Sequence, residues 1–262
     1  MYPPVKECIY CGAREVPLGR EHVIPRSLNG NVILPKASCK AHERVTSEFE
    51  AHVSRGMYGV HRAHEGTSTR RPKERSDLML RTIQLEGRDK QGNTVTVPAR
   101  LGDLPRMPVH IQLRSPGFLR GVRSDIDEGG TLHVDPINEK EFASFREKFG
   151  LASLSIPSAT LDPRAFTRTL AKIGHAFGVA ELGVKGFTPF LLPLILDVPG
   201  SNTYYVGGFD PQIPQSESEL IIRGERLNEA TILVVEISLH FFRRLPRYQV
   251  VIGQAAARLS EA

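Results

Sequence analysis

The sequence holds no run of 18 apolar residues, so a membrane-spanning helix of ordinary length is not expected. Its first ten residues, MYPPVKECIY, lack the apolar core of a secretory signal, and the expected location is the cytoplasm. There are three cysteines, Cys8, Cys11 and Cys39, and none is obviously left to pair as a disulfide. So small a number fits a reducing compartment and a metal site. No GxxxxGK[ST] loop occurs, and no glycine pair lies between strand and helix in the way that cradles a phosphate. Internal repeats and low-complexity tracts are likewise missing. Aspartate is absent from residues 1–75, which hold 13 Lys/Arg against eight Glu; the remainder carries 21 of each sign.

The whole net charge of +5 therefore lies on the first 75 residues, together with five of the nine histidines. A basic surface favours polyanions, nucleic acid being the commonest. With 262 residues, 40% hydrophobic and 24% charged, the chain is long and apolar enough for one sizeable core, or a core plus a small satellite.

All three cysteines fall within residues 8–50, CIYCGAREVPLGREHVIPRSLNGNVILPKASCKAHERVTSEFE. Cys8 and Cys11 form a CxxC knuckle; Cys39 and His42 form a second pair with the same gap, with 27 residues between the pairs. Three thiolates and one imidazole in this spacing suit a tetrahedral structural zinc. Between the pairs stand Glu21-His22 and, nine residues after that histidine, Asn31. Phosphodiester hydrolysis needs an activated water, a sink for the phosphate charge and help for the leaving oxygen. A neutral histidine suits the first need, and a divalent cation held by a carboxylate suits the other two. Neighbours on a strand face opposite ways, so Glu21 and His22 could share a phosphate only on an irregular segment. Arg20 and Arg26 flank the pair and could hold phosphates, though ordinary surface charges are the expectation.

The pattern predicts a knuckle over 5–13, a short connector over 14–20 and a brief strand at Val23-Ile24 ended by Pro25. It then predicts a turn at Asn29-Gly30, a second strand at 32–34 and a helix from Cys39 to about Ser54, its face marked by Val45, Phe49 and Val53. So small a unit could not hold a core unaided, and a metal is the usual remedy. Residues 56–76 have no clear period and suggest an exposed basic connector. Further on, strands are predicted near 79–85, 94–97, 109–113, 131–134, 204–206, 220–222, 231–239 and 248–252. Helices are predicted at 138–149 and from Asp162-Pro163 to Gly183, with Phe166, Leu170, Ile173 and Phe177 on the buried face. His175 in that helix is expected in the core, and His61 and His64 in solvent. The fold class expected is α+β.

The array CxxCG, EHxxP, GN-x-x-LPKASC and TSxFE resembles the HNH endonucleases, the ββα-metal nucleases, and in particular a bacterial branch with zinc knuckles around the site. The resemblance covers residues 8–50, about a sixth of the chain. It implies a zinc-stapled nuclease domain over 1–57, a basic linker over 58–76 and an α+β domain over 77–262, parts of which (AKIGHAFGVAELG, YYVGG) look like the region that accompanies this branch. It implies His22 as general base, Asn31 as the residue orienting it, and Glu21 as ligand to a catalytic metal. That metal would be Mg²⁺ or Mn²⁺, though some relatives use Zn²⁺ or Ni²⁺. The structural zinc would be held by Cys8, Cys11, Cys39 and His42. Cleavage would leave a 5′ phosphate and a 3′ hydroxyl on nucleic acid, with DNA the expected substrate and RNA left open. No membrane partner is implied, and the sequence leaves room for a homo-oligomer. Two departures stand out. The fourth structural ligand is usually Cys, here His42. The second catalytic-metal ligand is usually Asn or His at the helix start, here Glu43, which would bind metal or merely complement the helix dipole, with Glu50 as the fallback. The competing expectation is a zinc-containing nucleic-acid-binding module that keeps the scaffold without the chemistry.

Overall fold

The computed structural model describes residues 2–67, 72–107, 109–125, 130–134, 138–155, 162–209, 219–239 and 246–257. Arg70 and Arg71 of the expected basic connector lie outside them. Helix and strand are mixed throughout, as the α+β expectation requires. In chain order the elements begin with β1 (Leu18–His22), β2 (Ile33–Cys39) and α1 (Lys40–Ala51), then α2 (Gly59–His64) and α3 (Pro72–Leu80). Next come β3 (Thr82–Asp89), β4 (Thr94–Arg100), β5 (Val109–Gln112), β6 (Thr131–Val134), α4 (Glu139–Lys148) and β7 (Leu151–Ser155). The chain finishes with α5 (Pro163–Leu182), β8 (Phe187–Pro189), α6 (Leu192–Ile195), β9 (Val206–Gly208), β10 (Glu219–Leu227), β11 (Ala230–Ser238) and β12 (Tyr248–Ala255). None of the described helices is long and apolar enough to cross a membrane.

Two compact units form, and they cut across the linear division expected from the sequence. One gathers Met1–Ala51, Ile111–Thr131 and Pro163–Ala262; the other gathers His52–His110 and Leu132–Asp162. Residues 1–51 thus share a unit with the C-terminal hundred residues. The connector expected at 58–76 instead carries α2 and the first half of α3, and Tyr58 and His61 are buried rather than solvated.

The first unit is organised around α5. Asp162-Pro163 starts it and Gly183, with φ +74°, ends it in the left-handed conformation that glycine adopts without strain. The sequence marks one apolar face, but α5 is buried on several sides, from Ala165 to Val179, while Phe177 is only half-buried. The reason is that α5 packs against α1 and also against β11 and β12. Gly174 and Gly178 permit the second contact. A Cβ at Gly174 would meet Val250 at 3.2 Å, and one at Gly178 would meet Ile252 at 2.4 Å. The sheet beneath is antiparallel, in the order β10-β11-β12-β8, with β9 also paired to β12. Burying Phe166, Leu170 and Ile173 in this layer contributes about 1.5–3 kcal/mol each.

The second unit has an antiparallel sheet in the order β4-β3-β7 and a core of Leu85, Ala99, Leu101, Leu104 and Phe145. Its helix α4 matches the predicted 138–149 helix, since the Asn138 side chain accepts hydrogen bonds from the Lys140 and Glu141 amides at its start.

Candidate metal centre and the adjoining acidic site

Cys8 to Ala51 folds as knuckle, strand, turn, strand and helix, with the first strand earlier than predicted. β1 occupies Leu18–His22, part of the expected connector, and Val23-Ile24-Pro25 is the bend after it. β1 pairs antiparallel with β2 through a register break: Gly19 faces Ser38, but Glu21 faces Leu34. Lys36 adopts φ +51° within the break. This leaves the Pro35, Lys36 and Ala37 carbonyls free to accept the amides of Val5, Lys6 and Ile9 at 2.9–3.0 Å. The N-terminal segment is thereby laid along β2, which carries Cys8 toward Cys39.

Local hydrogen bonds shape the knuckle. The Cys8 amide donates to Ala13 O and the Gly12 amide to Cys8 O, both at 2.8 Å, and Gly12 takes φ +71°. Cys39 closes β2 and His42 lies in the first turn of α1. The four candidate ligand atoms of Cys8, Cys11, Cys39 and His42 lie within 4.8 Å of one another. His42 Nδ1 is 3.0 Å from the Cys39 sulfur and 3.7 Å from that of Cys8. Bonds of about 2.3 Å to sulfur and about 2.0 Å to nitrogen fit such a spacing, so the cluster can hold a metal such as zinc. The thiols differ. Burial pushes Cys8 to about 11. Burial also raises Cys39, but the His42 amide, the His42 ring and Cys8 together draw it down to about 6.

The knuckle is fastened to α5 from behind. His175, 2% exposed, donates from Nε2 to the Ile9 carbonyl at 2.8 Å. Tyr10 lies between the rings of His42 and His175, at 5.8 and 5.9 Å. Burial lowers His175 to about 4, only partly offset by the Ile9 bond, so the ring is neutral; its Nδ1 has no hydrogen-bond partner among the described residues. The expectation of a core histidine thus holds, with the addition that it ties α5 to the cysteine pair.

Glu21 and His22 end β1. Glu21 is 5% exposed and turns inward to Lys172 of α5, 2.7 Å from the ammonium. The same ammonium lies 2.8 Å from Glu50 of α1 and donates to the His22 backbone carbonyl. Burial raises Glu50 above the ordinary carboxylate value, while Glu21 and Glu50 hold Lys172 charged against the opposing effect of its own burial. The phenol of Tyr10, wholly buried near both carboxylates, is pushed well above its usual value, chiefly by burial. The His22 side chain is half-buried and its ring is lowered, first by burial and then by Lys172, against a raising effect of Glu21. Near neutrality it is an unprotonated base.

Not every predicted residue joins this group. Asn31 is exposed, and no hydrogen bond joins its side chain to His22 among the described residues. It follows a 3-10 turn at Arg26–Leu28 and a tight passage at Gly30, where a Cβ would lie 1.9 Å from the Ile24 carbonyl oxygen. Glu43 turns outward and pairs with Lys40 at 3.1 Å, with 47% of its side chain exposed. A divalent ion on Glu21 and Glu43 does not fit the side chains as they stand, because they do not converge and Glu21 is engaged by an ammonium. Arg20 and Arg26 are exposed beside the His22 segment. The residue the sequence reading missed is Lys172. Its one signal was a lone lysine in the largely apolar run LAKIGHAFG, which also holds His175. Comparison with family models, with curated proteins and with solved structures yields no match.

Proposed function

We propose that residues 8–50 form an HNH-type module of a nuclease that hydrolyses phosphodiester bonds in DNA, with His22 as general base. The observation supporting this is the neutral, half-exposed His22 at the end of β1, on a ribbon and helix whose ends meet at the Cys8–Cys11–Cys39–His42 cluster. His22 would take a proton from the attacking water, which its lowered affinity for protons permits at working pH. The exposed guanidinium groups of Arg20 and Arg26 are available to phosphate oxygens from the solvent side. Zinc at the cluster would fix the ends of the ribbon and helix and take no part in the hydrolysis. Mg²⁺ or Mn²⁺, expected from the resemblance, lacks a converged pair of ligands here, and no step is assigned to it.

A second reading is favoured by particular observations. Asn31 does not orient His22 and Glu21 is held by Lys172, as in a zinc-containing module that binds nucleic acid without cutting it. Plasmid cleavage by zinc-loaded wild type and His22→Ala separates the two, with EDTA, Mg²⁺ and Mn²⁺ in parallel and zinc content measured for both. Cleavage lost in a variant that keeps its zinc supports the nuclease. DNA binding by both proteins with no cleavage under any condition supports the binding module. Equal cleavage by both removes His22 from the chemistry.

A further inference from the structure

The acidic site holds a cation of its own. Lys172 is 0% exposed, and its ammonium lies 2.7 Å from Glu21 Oε1 and 2.8 Å from Glu50 Oε1 and donates to the His22 carbonyl oxygen. These come from β1 and α1, while the lysine comes from α5, 150 residues beyond His22.

We infer that Lys172 is the resident counter-ion of the Glu21–Glu50 pair and stands where a divalent metal would otherwise be bound, so that Glu21 is closed to metal in the folded protein. The inference takes from the proposed function only that Glu21 is the carboxylate a catalytic metal would meet. Three features carry it. A dication against Glu21 Oε1 would sit beside a fixed ammonium at like-charge distance, and the pair has no solvent to screen it. Mg²⁺ and Mn²⁺ of this kind keep several water ligands, whereas Glu21 is 5% exposed and Lys172 fully enclosed, so that hydration shell has no room. Glu43, the other carboxylate expected to help, faces away and has Lys40 as its partner. Lys172 is fully enclosed and offers no surface to a substrate. It is a positioning residue, holding the Glu21 side chain and the His22 main chain from α5.

The test is bound Mn²⁺, measured by electron paramagnetic resonance on the zinc-loaded full chain. Four proteins are compared: wild type, Glu21→Gln, Lys172→Met and the double variant. The expectation is that wild type and Glu21→Gln retain Mn²⁺ equally up to millimolar concentrations. Lys172→Met should gain one ion bound at least tenfold more tightly, and the double variant should lose that gain. Mn²⁺ held tenfold more tightly by wild type than by Glu21→Gln would overturn the inference, as would a folded Lys172→Met without the gain. Should Lys172→Met lose its zinc or its circular dichroism, the comparison of wild type with Glu21→Gln decides alone, since Glu21→Gln keeps the Lys172–Glu50 pair. Because the readout is bound metal, failure to cut DNA would sink the nuclease reading and leave this one standing.

Discussion

Lys172 and Glu21, 151 positions apart in sequence, make a 2.7 Å ion pair sealed from solvent, and Glu50 completes it at 2.8 Å from the same ammonium. A buried charge set of this kind is costly to break from one side, because the groups left behind stay desolvated. Lys172→Met should therefore destabilise the protein by about 3–5 kcal/mol. Glu50→Gln should cost less, since Lys172 keeps Glu21. Urea unfolding of the zinc-loaded proteins checks both, and a loss below about 1 kcal/mol for Lys172→Met would mean that the set is not enclosed.

Each folded chain should carry one zinc. Cys39→Ser and Cys8→Ser, which each leave three of the four ligands, should lose most of it on dialysis against a mild chelator, while wild type retains it. Structural zinc in small modules is coupled to folding with a free energy on the order of 10 kcal/mol. Stripping the metal should therefore loosen residues 5–51 first. Elemental analysis gives the stoichiometry, and amide hydrogen exchange locates the loosened segment.

His175 makes stability depend on pH. Its folded value of about 4 lies below the ordinary histidine value, so below about pH 6.5 the unfolded chain binds the proton more readily. The stabilisation is complete above pH 6.5 and is lost as pH falls toward 4, by about 3 kcal/mol in all. His175→Gln should be less stable at pH 7 but show a flatter decline over that range. Chemical unfolding at half-unit pH steps distinguishes the two proteins, and parallel curves would remove His175 as the cause.

Gly30 occupies a place that a side chain cannot share. Its Cβ would overlap the Ile24 carbonyl oxygen at 1.9 Å, a backbone atom that cannot swing aside. Gly30→Ala should cost about 1–3 kcal/mol through displacement of the 23–32 loop. It should also lower any His22-dependent cleavage, while zinc content stays at the wild-type level. Thermal unfolding and the plasmid assay together check this; an unchanged melting temperature would show that the loop yields freely.

Much of the N-terminal site was legible because its signals are local. The Cys-x2-Cys and Cys-x2-His spacings, the Asn29-Gly30 turn and the apolar period through Phe49 and Val53 each act over a few residues, and the structure places the four candidate ligands together. The α+β class, α4 with its Asn138 cap, and α5 with its Pro163 start and Gly183 stop were legible for the same reason. β1 was misplaced by a few residues. Its start is set by pairing with β2 across a register break, and no local preference of LGREH marks that.

What the tertiary structure alone decided is which distant groups share a buried volume. The order of residues could not place Lys172 against Glu21 and Glu50, or separate Asn31 from His22. Nor could it show residues 1–51 in one unit with 163–262 rather than as a domain apart. The Lys172 contacts and the shared unit follow from α5 packing against both α1 and the β11-β12 layer. Burial then removes water from whatever polar groups the helix carries inward, and those groups have to find each other. Sequence period reports that a helix has an apolar face, but the polar residue it buries acquires a meaning only from its partners across the core.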